Sequence, residues 1–259
     1  MGDTTGIAWS DSTWNPWIGC RKVSAGCAHC YAEKLVNGRM GGEFRTVRRT
    51  TSELWSRPYR WNRETNPGSR PRLVFTCSLS DWFIEEADAW RPEAWTIVRA
   101  TPNLAWQILT KRPERIAAHL PPDWGDSGYP NVWLGVSGED LEKAKERGSI
   151  LARIPARVRF LSAEPWLQAY SPSDMRRYLE VAEMFDWVIV GGESGPACRP
   201  MDERSALALI NAVALSERAV YLKQLGGPSW STKRDHEQAI LDGRTWTELP
   251  LGLTPRREA

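Results

Sequence analysis

Three cysteines within eleven residues, Cys20, Cys27 and Cys30, are the strongest chemical signal in the sequence. They sit in GCRKVSAGCAHCYA with the spacing C-x6-C-x2-C, and Gly19 and Gly26 each stand directly before a cysteine. Soft metal centres want thiolate ligands, and a C-x2-C turn offers two sulfurs to one centre. Two kinds of centre satisfy the pattern. Structural zinc takes four protein ligands. His29 is the nearest fourth donor but lies between two ligands, where coordination is strained, and Cys77 and Cys198 are distant in the chain. A [4Fe–4S] cluster held by only three cysteines leaves one iron open for a small molecule.

The elements that must position this loop follow as a repeating pattern. Short apolar runs at Leu73–Cys77, Leu104–Thr110, Val132–Val136, Val158–Leu161, Trp187–Val190 and Val220–Leu222 alternate with helix patterns over 88–100, 113–119, 139–153, 173–184 and 202–217. The spacing is that of βα units, and the near-continuous apolar runs suit parallel strands covered on both faces. Polar groups follow every run: Ser78 to Asp81, Lys111-Arg112, Ser137 to Glu139, Ser162 to Glu164, Gly191 to Ser194, and Lys223-Gln224. In an α/β barrel or open sheet the carboxyl ends of the strands share the ligand face.

The chain has 259 residues, 41% hydrophobic and 25% charged, which supports a packed core and excludes wholesale disorder. No apolar run reaches membrane-spanning length, the N-terminus has no signal-peptide pattern, and an odd cysteine count argues against a disulfide scaffold, so a cytoplasmic location is expected. The organisation expected is a domain over 1–224, with the cysteine loop at 18–32, and a Gly/Pro-punctuated extension over 225–259.

Residues 44–72 hold eight arginines against Glu53 and Glu64, interleaved with Phe44, Trp55, Tyr59 and Trp61. Arginine forks bind phosphates and aromatic rings stack on unpaired bases, so this segment suits DNA or a nucleotide. It equally suits an amphipathic helix that packs Leu54 and Trp55 inward and keeps its arginines in water. The 15 tryptophans are far above ordinary usage; Trp9, Trp14 and Trp17 flank the cysteine loop, and most others sit in strands.

On TWNPWIGCRKVSAGCAHCYA (13–32), SLSDWF (78–83), LTKRPER (109–115), WLGVSGED (133–140), FLSAEPW (160–166), VIVGGESGP (188–196) and YLKQLGG (221–227), the chain resembles the radical S-adenosylmethionine superfamily. The likeness is to a phage and bacterial branch with widened cysteine spacing. The superfamily's commonest pattern is C-x3-C-x2-C with an aromatic residue before the last cysteine; here the first gap is six and His29 holds that position.

The resemblance implies a partial (β/α)6 TIM-like barrel whose first strand, Ile7–Trp9 or Trp14–Trp17, precedes the cysteine loop. It implies a [4Fe–4S] cluster on Cys20, Cys27 and Cys30, S-adenosylmethionine at the open iron, and an electron donor of flavodoxin or ferredoxin type. His29 would lie near the adenine, or else be an exposed loop histidine. Ser78, Ser80 and Asp81 would lie near the methionyl group, Ser137 near the ribose, and Gly191, Gly192 and Glu193 near adenine or substrate. Glu164 and Lys223 are the candidate substrate contacts, or a buried ion pair. The activity implied is reductive cleavage of S-adenosylmethionine to a 5′-deoxyadenosyl radical that abstracts hydrogen, with modification or isomerisation of a hypermodified thymidine in phage DNA as the expected outcome. The alternatives are a radical DNA-lesion repair lyase and a non-catalytic, zinc-stabilised nucleic-acid-binding protein.

Overall fold

The apolar runs become strands because their side chains are covered on both sides. In the computed structural model, which describes residues 4–195, 197–227 and 239–254, seven strands are β1 (Ser12–Trp14), β4 (Arg72–Thr76), β5 (Leu104–Thr110), β6 (Val132–Ser137), β7 (Val158–Ala163), β8 (Trp187–Gly191) and β9 (Ala219–Gln224). Every residue of β6 and β8 is buried. The order β1-β4-β5-β6-β7-β8-β9 follows the chain in one sheet, and β1 with β4, β4 with β5, β7 with β8 and β8 with β9 pair in parallel. This is the α/β topology of a partial barrel, as the βα rhythm requires.

By its contacts the chain divides into two units. The first comprises Met1–Val23, Cys30–Gly135 and Arg153–Arg157; the second comprises Ser24–His29, Val136–Ala152 and Val158–Ala259.

In the first unit β1 pairs with β4 and β4 with β5. A small antiparallel pair, β2 (Trp17–Ile18) with β3 (Arg48–Arg49), leads into the cysteine loop. Helix α1 (Tyr31–Asn37) follows the loop, and α2 (Ser52–Glu64) packs on α3 (Arg91–Arg99). Proline inside a helix leaves the carbonyl four residues earlier without its N–H partner. In α2 that residue is Pro58, and the freed Leu54 carbonyl accepts instead from Trp14 Nε1 at 2.9 Å.

The basic stretch is therefore the amphipathic helix. Trp55, Pro58 and Trp61 face the core and Phe44 is buried too, while Tyr59 is exposed. Arg49 and Arg72 lie over the Trp55 and Trp61 rings at 3.8 and 5.2 Å, and Arg57 and Arg70 pair with Glu53 and Asp11. Buried rings do not stack on a base; the inward packing at three-residue spacing accounts for them.

The first strand falls at Ser12–Trp14, later than Ile7–Trp9 and overlapping Trp14–Trp17 only at Trp14. Asp11 Oδ2 accepts from the Leu73 amide at 2.7 Å and fixes that register, while Pro16 has no amide to continue it. The 113–119 helix is two 3₁₀ turns, Pro113–Arg115 and Ala117–His119. Leu120 precedes Pro121 and is extended (ψ 150°), which ends the turn.

In the second unit β7, β8 and β9 pair in sequence, and α4 (Leu141–Leu151), α5 (Met175–Ala182) and α6 (Glu203–Leu215) pack one on the next. Asp140 caps α4 through the Lys143 amide and Asp202 caps α6. The described part of the C-terminal extension buries Leu241, Trp246 and Leu249. Its backbone bonds to β9, Leu222 N to Trp246 O and Glu248 N to Val220 O, so it covers a strand edge. Residues 228–238 and 255–259 of that extension lie outside the described residues. Among the described residues, no helix is long and apolar enough to cross a membrane.

Candidate functional site

In the first unit the chain after β4 is bound directly to the cysteine loop. Gly19 N donates to Leu79 O at 3.0 Å, Ser80 Oγ to Gly19 O, and Trp17 Nε1 to Asp81 O at 3.0 Å. Asn15 clamps the same turn, accepting from the Leu79 amide and donating to Ser78 Oγ at 3.0 Å. Gly19 is required here: its φ is +107°, and a Cβ on it would lie 2.8 Å from the carbonyl oxygens of Phe44 and Thr46. Cys20 and Cys30 are half-buried against Ile18, Ala32, Val36, Phe44 and Leu79.

Asp81 is buried at the end of this network. Its carboxylate accepts from Thr110 Oγ1 at 2.7 Å, from the Lys111 amide at 2.9 Å and from the Phe83 amide at 2.9 Å. Arg112 Nη1 lies 3.1 Å from Asp81 Oδ2 and donates to Cys20 Sγ at 3.8 Å, while Nη2 donates to Arg21 O. Arg112 thus places a cation beside the Cys20 sulfur. Cys77 is different: it is fully buried, and burial followed by the nearby Asp81 charge pushes its thiol well above the usual range. In the metal-free protein that environment favours the protonated thiol.

In the second unit the 3₁₀ turn Ala25–Cys27 is held by two charged side chains, and a third holds His29 just beyond it. Glu139 Oε1 accepts from the Gly26 amide at 3.2 Å, and Arg199 Nη2 donates to Ala25 O at 3.0 Å. His29 Nδ1 lies 3.0 Å from Glu193 Oε2. Glu139 is itself paired with buried Arg147 at 2.9 Å, which also donates to the Ser137 carbonyl. Glu193 is 6% exposed in its side chain and bound by the Arg199 guanidinium and amide. Burial alone would raise its carboxyl; the Arg199 bonds and His29 outweigh that and hold it down at about 2.

At the ends of β7 and β9, Lys223 Nζ pairs with Glu164 Oε1 at 2.7 Å, and Ser162 Oγ donates to the other carboxylate oxygen at 3.3 Å. Both readings of these residues therefore share one geometry, an ion pair at two strand ends. Tyr221 is pushed up to about 12 by burial and by the Glu164 charge. The Gly191-Gly192 pair does admit close approach, but by protein: a Cβ on Gly191 would meet Glu164 Oε1 at 3.0 Å, and one on Gly192 would meet Leu225 O at 2.2 Å.

A family model described as "Protein of unknown function (DUF5131)" matches residues 4–250. The chain belongs to that family. No curated protein matches its sequence. A solved structure of a cysteine-to-serine variant of spore photoproduct lyase resembles this DUF5131 chain with a TM-score of 0.49 at 11% identity, covering 82% of this chain. The chain spans 63% of that lyase chain's length.

The donor set of the DUF5131 chain fits a thiolate-bound centre in its chemistry. Three half-exposed cysteines share one loop, Gly19 and Gly26 shape it, and Arg112 donates toward one sulfur. Among the described residues no three His, Cys, Asp or Glu side chains already stand at metal-binding separation. Arg112, Glu139, Arg147, Arg199 and Asn15 were not among the expected site residues. Arg112 and Glu139 do carry the signal that would have found them, since each belongs to the polar group that follows a strand run.

Proposed function

We propose that this protein is a radical S-adenosylmethionine enzyme. One observation carries the reading: C-x6-C-x2-C lies in a glycine-shaped loop after the first strand of a sequentially ordered parallel sheet, with charged networks at the carboxyl ends of the later strands. Cys20, Cys27 and Cys30 would hold a [4Fe–4S] cluster. When bound, such a cluster supplies the electron that cleaves S-adenosylmethionine reductively and makes it a source of a 5′-deoxyadenosyl radical.

The chain's own residues bind and orient. Ser78, Ser80 and Asp81 brace the arm of the loop that carries Cys20, on the side assigned to the methionyl group. Ser137 is assigned to the ribose, and Gly191, Gly192, Glu193 and His29 to the adenine or substrate. The Glu193–Arg199 pair fixes the carboxylate that orients His29. Glu164 and Lys223 contact substrate from the two ends of their 2.7 Å ion pair. A flavodoxin- or ferredoxin-type protein supplies the electron. The substrate is nucleic-acid-linked, with a hypermodified thymidine as the first to test; the exposed arginines and Tyr59 of α2 supply the surface for its phosphates.

The test is anaerobic purification followed by assay of iron, sulfide and visible absorbance. The protein is then incubated with S-adenosylmethionine and dithionite, with and without DNA. Brown protein that forms 5′-deoxyadenosine is expected, and Cys27→Ala should lose both properties. Colourless protein with one zinc per chain and no cleavage overturns the reading and favours a zinc-stabilised nucleic-acid-binding protein.

A further inference from the structure

The tryptophans of the first unit are more than packing material, because they form a continuous series of ring contacts with one distinctive end. Trp17, three residues before Cys20, lies 5.2 Å from Trp82 between ring centroids; Trp82 lies 5.1 Å from Trp95; and Trp95 lies 6.4 Å from Tyr129. A parallel step runs from Trp95 through Trp124, at 5.4 and 5.0 Å. Neighbouring rings this close exchange an electron readily once one of them is oxidised.

What an oxidised ring does next depends on where its proton can go. An indole radical cation that cannot lose its proton keeps its oxidising strength and passes the hole on. Trp82 Nε1 is buried without a hydrogen-bond partner among the described residues. Trp17, Trp95 and Trp124 donate only to the backbone carbonyls of Asp81, His119 and Pro155, which are not bases. Trp14, 6.1 Å from Trp82, opens side branches to Trp55 at 5.8 Å and Trp106 at 5.1 Å, whose indoles donate to the Pro16 carbonyl and the Thr101 hydroxyl.

Tyr129 is the exception. Its hydroxyl donates to Asp123 Oδ1 at 2.5 Å, and the other carboxylate oxygen is held by Arg99 at 2.6 Å. An oxidised phenol is a strong acid, so this carboxylate takes its proton even though Arg99 weakens it as a base. Tyr129, Trp95, Asp123 and the exposed Arg99 also line an open cavity of about 400 Å³.

We infer that Trp17, Trp82, Trp95 and Tyr129 form a path that discharges oxidising equivalents from the cysteine loop to a reductant in the cavity beside Arg99. The source of those equivalents rests on the proposed iron centre: ferrous iron held by the cysteines would give one electron to peroxide, which would split into hydroxide and a hydroxyl radical, and that radical would take one electron from Trp17 and become a second hydroxide. Electrons then refill Trp17 from Trp82, Trp82 from Trp95, and Trp95 from Tyr129. The phenolic proton moves to Asp123 and leaves a neutral tyrosyl radical. A small anionic thiolate, drawn to Arg99, returns one electron as Asp123 returns the proton; two such thiyl radicals couple to a disulfide.

The test is pulse radiolysis of the full-length chain purified without oxygen, with azide radical as the one-electron oxidant. The expected result is decay of indolyl absorption matched by growth of phenoxyl absorption, at a rate independent of protein concentration. Tyr129→Phe should abolish that growth, and Trp95→Phe should slow it severalfold. Asp123→Asn, at a half-exposed position outside the core, should slow it too, with a larger solvent deuterium effect, so the result does not hinge on a core variant folding. Growth unchanged in Tyr129→Phe or Asp123→Asn overturns the path. Iron content of the same sample decides the proposed cluster separately.

Discussion

Arg112 joins a buried carboxylate to a cysteine sulfur: its Nη1 lies 3.1 Å from Asp81 Oδ2 and 3.8 Å from Cys20 Sγ. Hydrogen bonds to cluster sulfurs stabilise the more negative, reduced state and raise the reduction potential. Arg112→Met is therefore expected to lower the midpoint potential of the loaded protein, and Arg112→Lys to lower it less, because a single ammonium keeps charge but loses the fork. A titration followed by electron paramagnetic resonance measures both. Equal potentials in all three proteins would leave Arg112 as a structural brace between Asp81 and the Arg21 carbonyl.

Glu193 makes stability depend on acid. Its folded pKa of about 2 lies below the unfolded value of about 4.3. The pair's contribution is thus fully present above pH 4 or so and is lost as pH falls toward 2. Two units correspond to about 3 kcal/mol. Arg199 is about one-third exposed, so screening should reduce the realised figure to about 1–2 kcal/mol. Denaturant unfolding of wild type and Glu193→Gln should differ by that amount at neutral pH and converge near pH 2. A difference that persists at low pH would assign the effect to packing.

These networks show what a sequence can and cannot disclose. Leu104–Thr110 was readable as β5 to the residue, since a long β-branched and aromatic run buried on both faces has few other uses. β1 was hidden because Asp11 and Ser12 look like loop residues until Leu73 and Arg72 arrive to bond them. Polar residues at strand ends were visible as a class. Their pairing was not: Glu139 with Gly26, Glu193 with His29 and Arg112 with Cys20 span 113, 164 and 92 residues. Only sheet order brings such residues together. In the basic stretch, rings and arginines fitted stacking or helix equally well, and only the inward spacing of Trp55, Pro58 and Trp61 in α2 shows that those rings pack on the core.

Glu164 and Lys223 invite a double-mutant cycle. Removing one member of a largely buried pair strands the other, so Glu164→Gln and Lys223→Met should each destabilise, and the double variant should cost less than their sum. If the pair also moves a proton on substrate, Glu164→Gln lowers product formation by about two orders of magnitude while S-adenosylmethionine cleavage continues. Full product formation in both single variants would make the pair purely structural.

Gly19 gives the sharpest link between backbone and loop. At φ +107° an alanine is strained, and its Cβ would meet two carbonyl oxygens at 2.8 Å. Relief requires either β2 or the chain at 44–46 to move, and the Cys20 amide, bonded to Phe44 O at 2.9 Å, moves with it. Gly19→Ala should cost about 1–3 kcal/mol and displace Cys20 from its place beside Arg112. Thermal unfolding measures the first effect and iron bound after anaerobic reconstitution the second. Gly41→Ala is the control, since its φ is also positive but nothing lies within 4 Å of its Cβ position. It should lose some stability through strain and keep its iron. Equal iron loading in both variants would show that the path of the loop does not set the ligand positions.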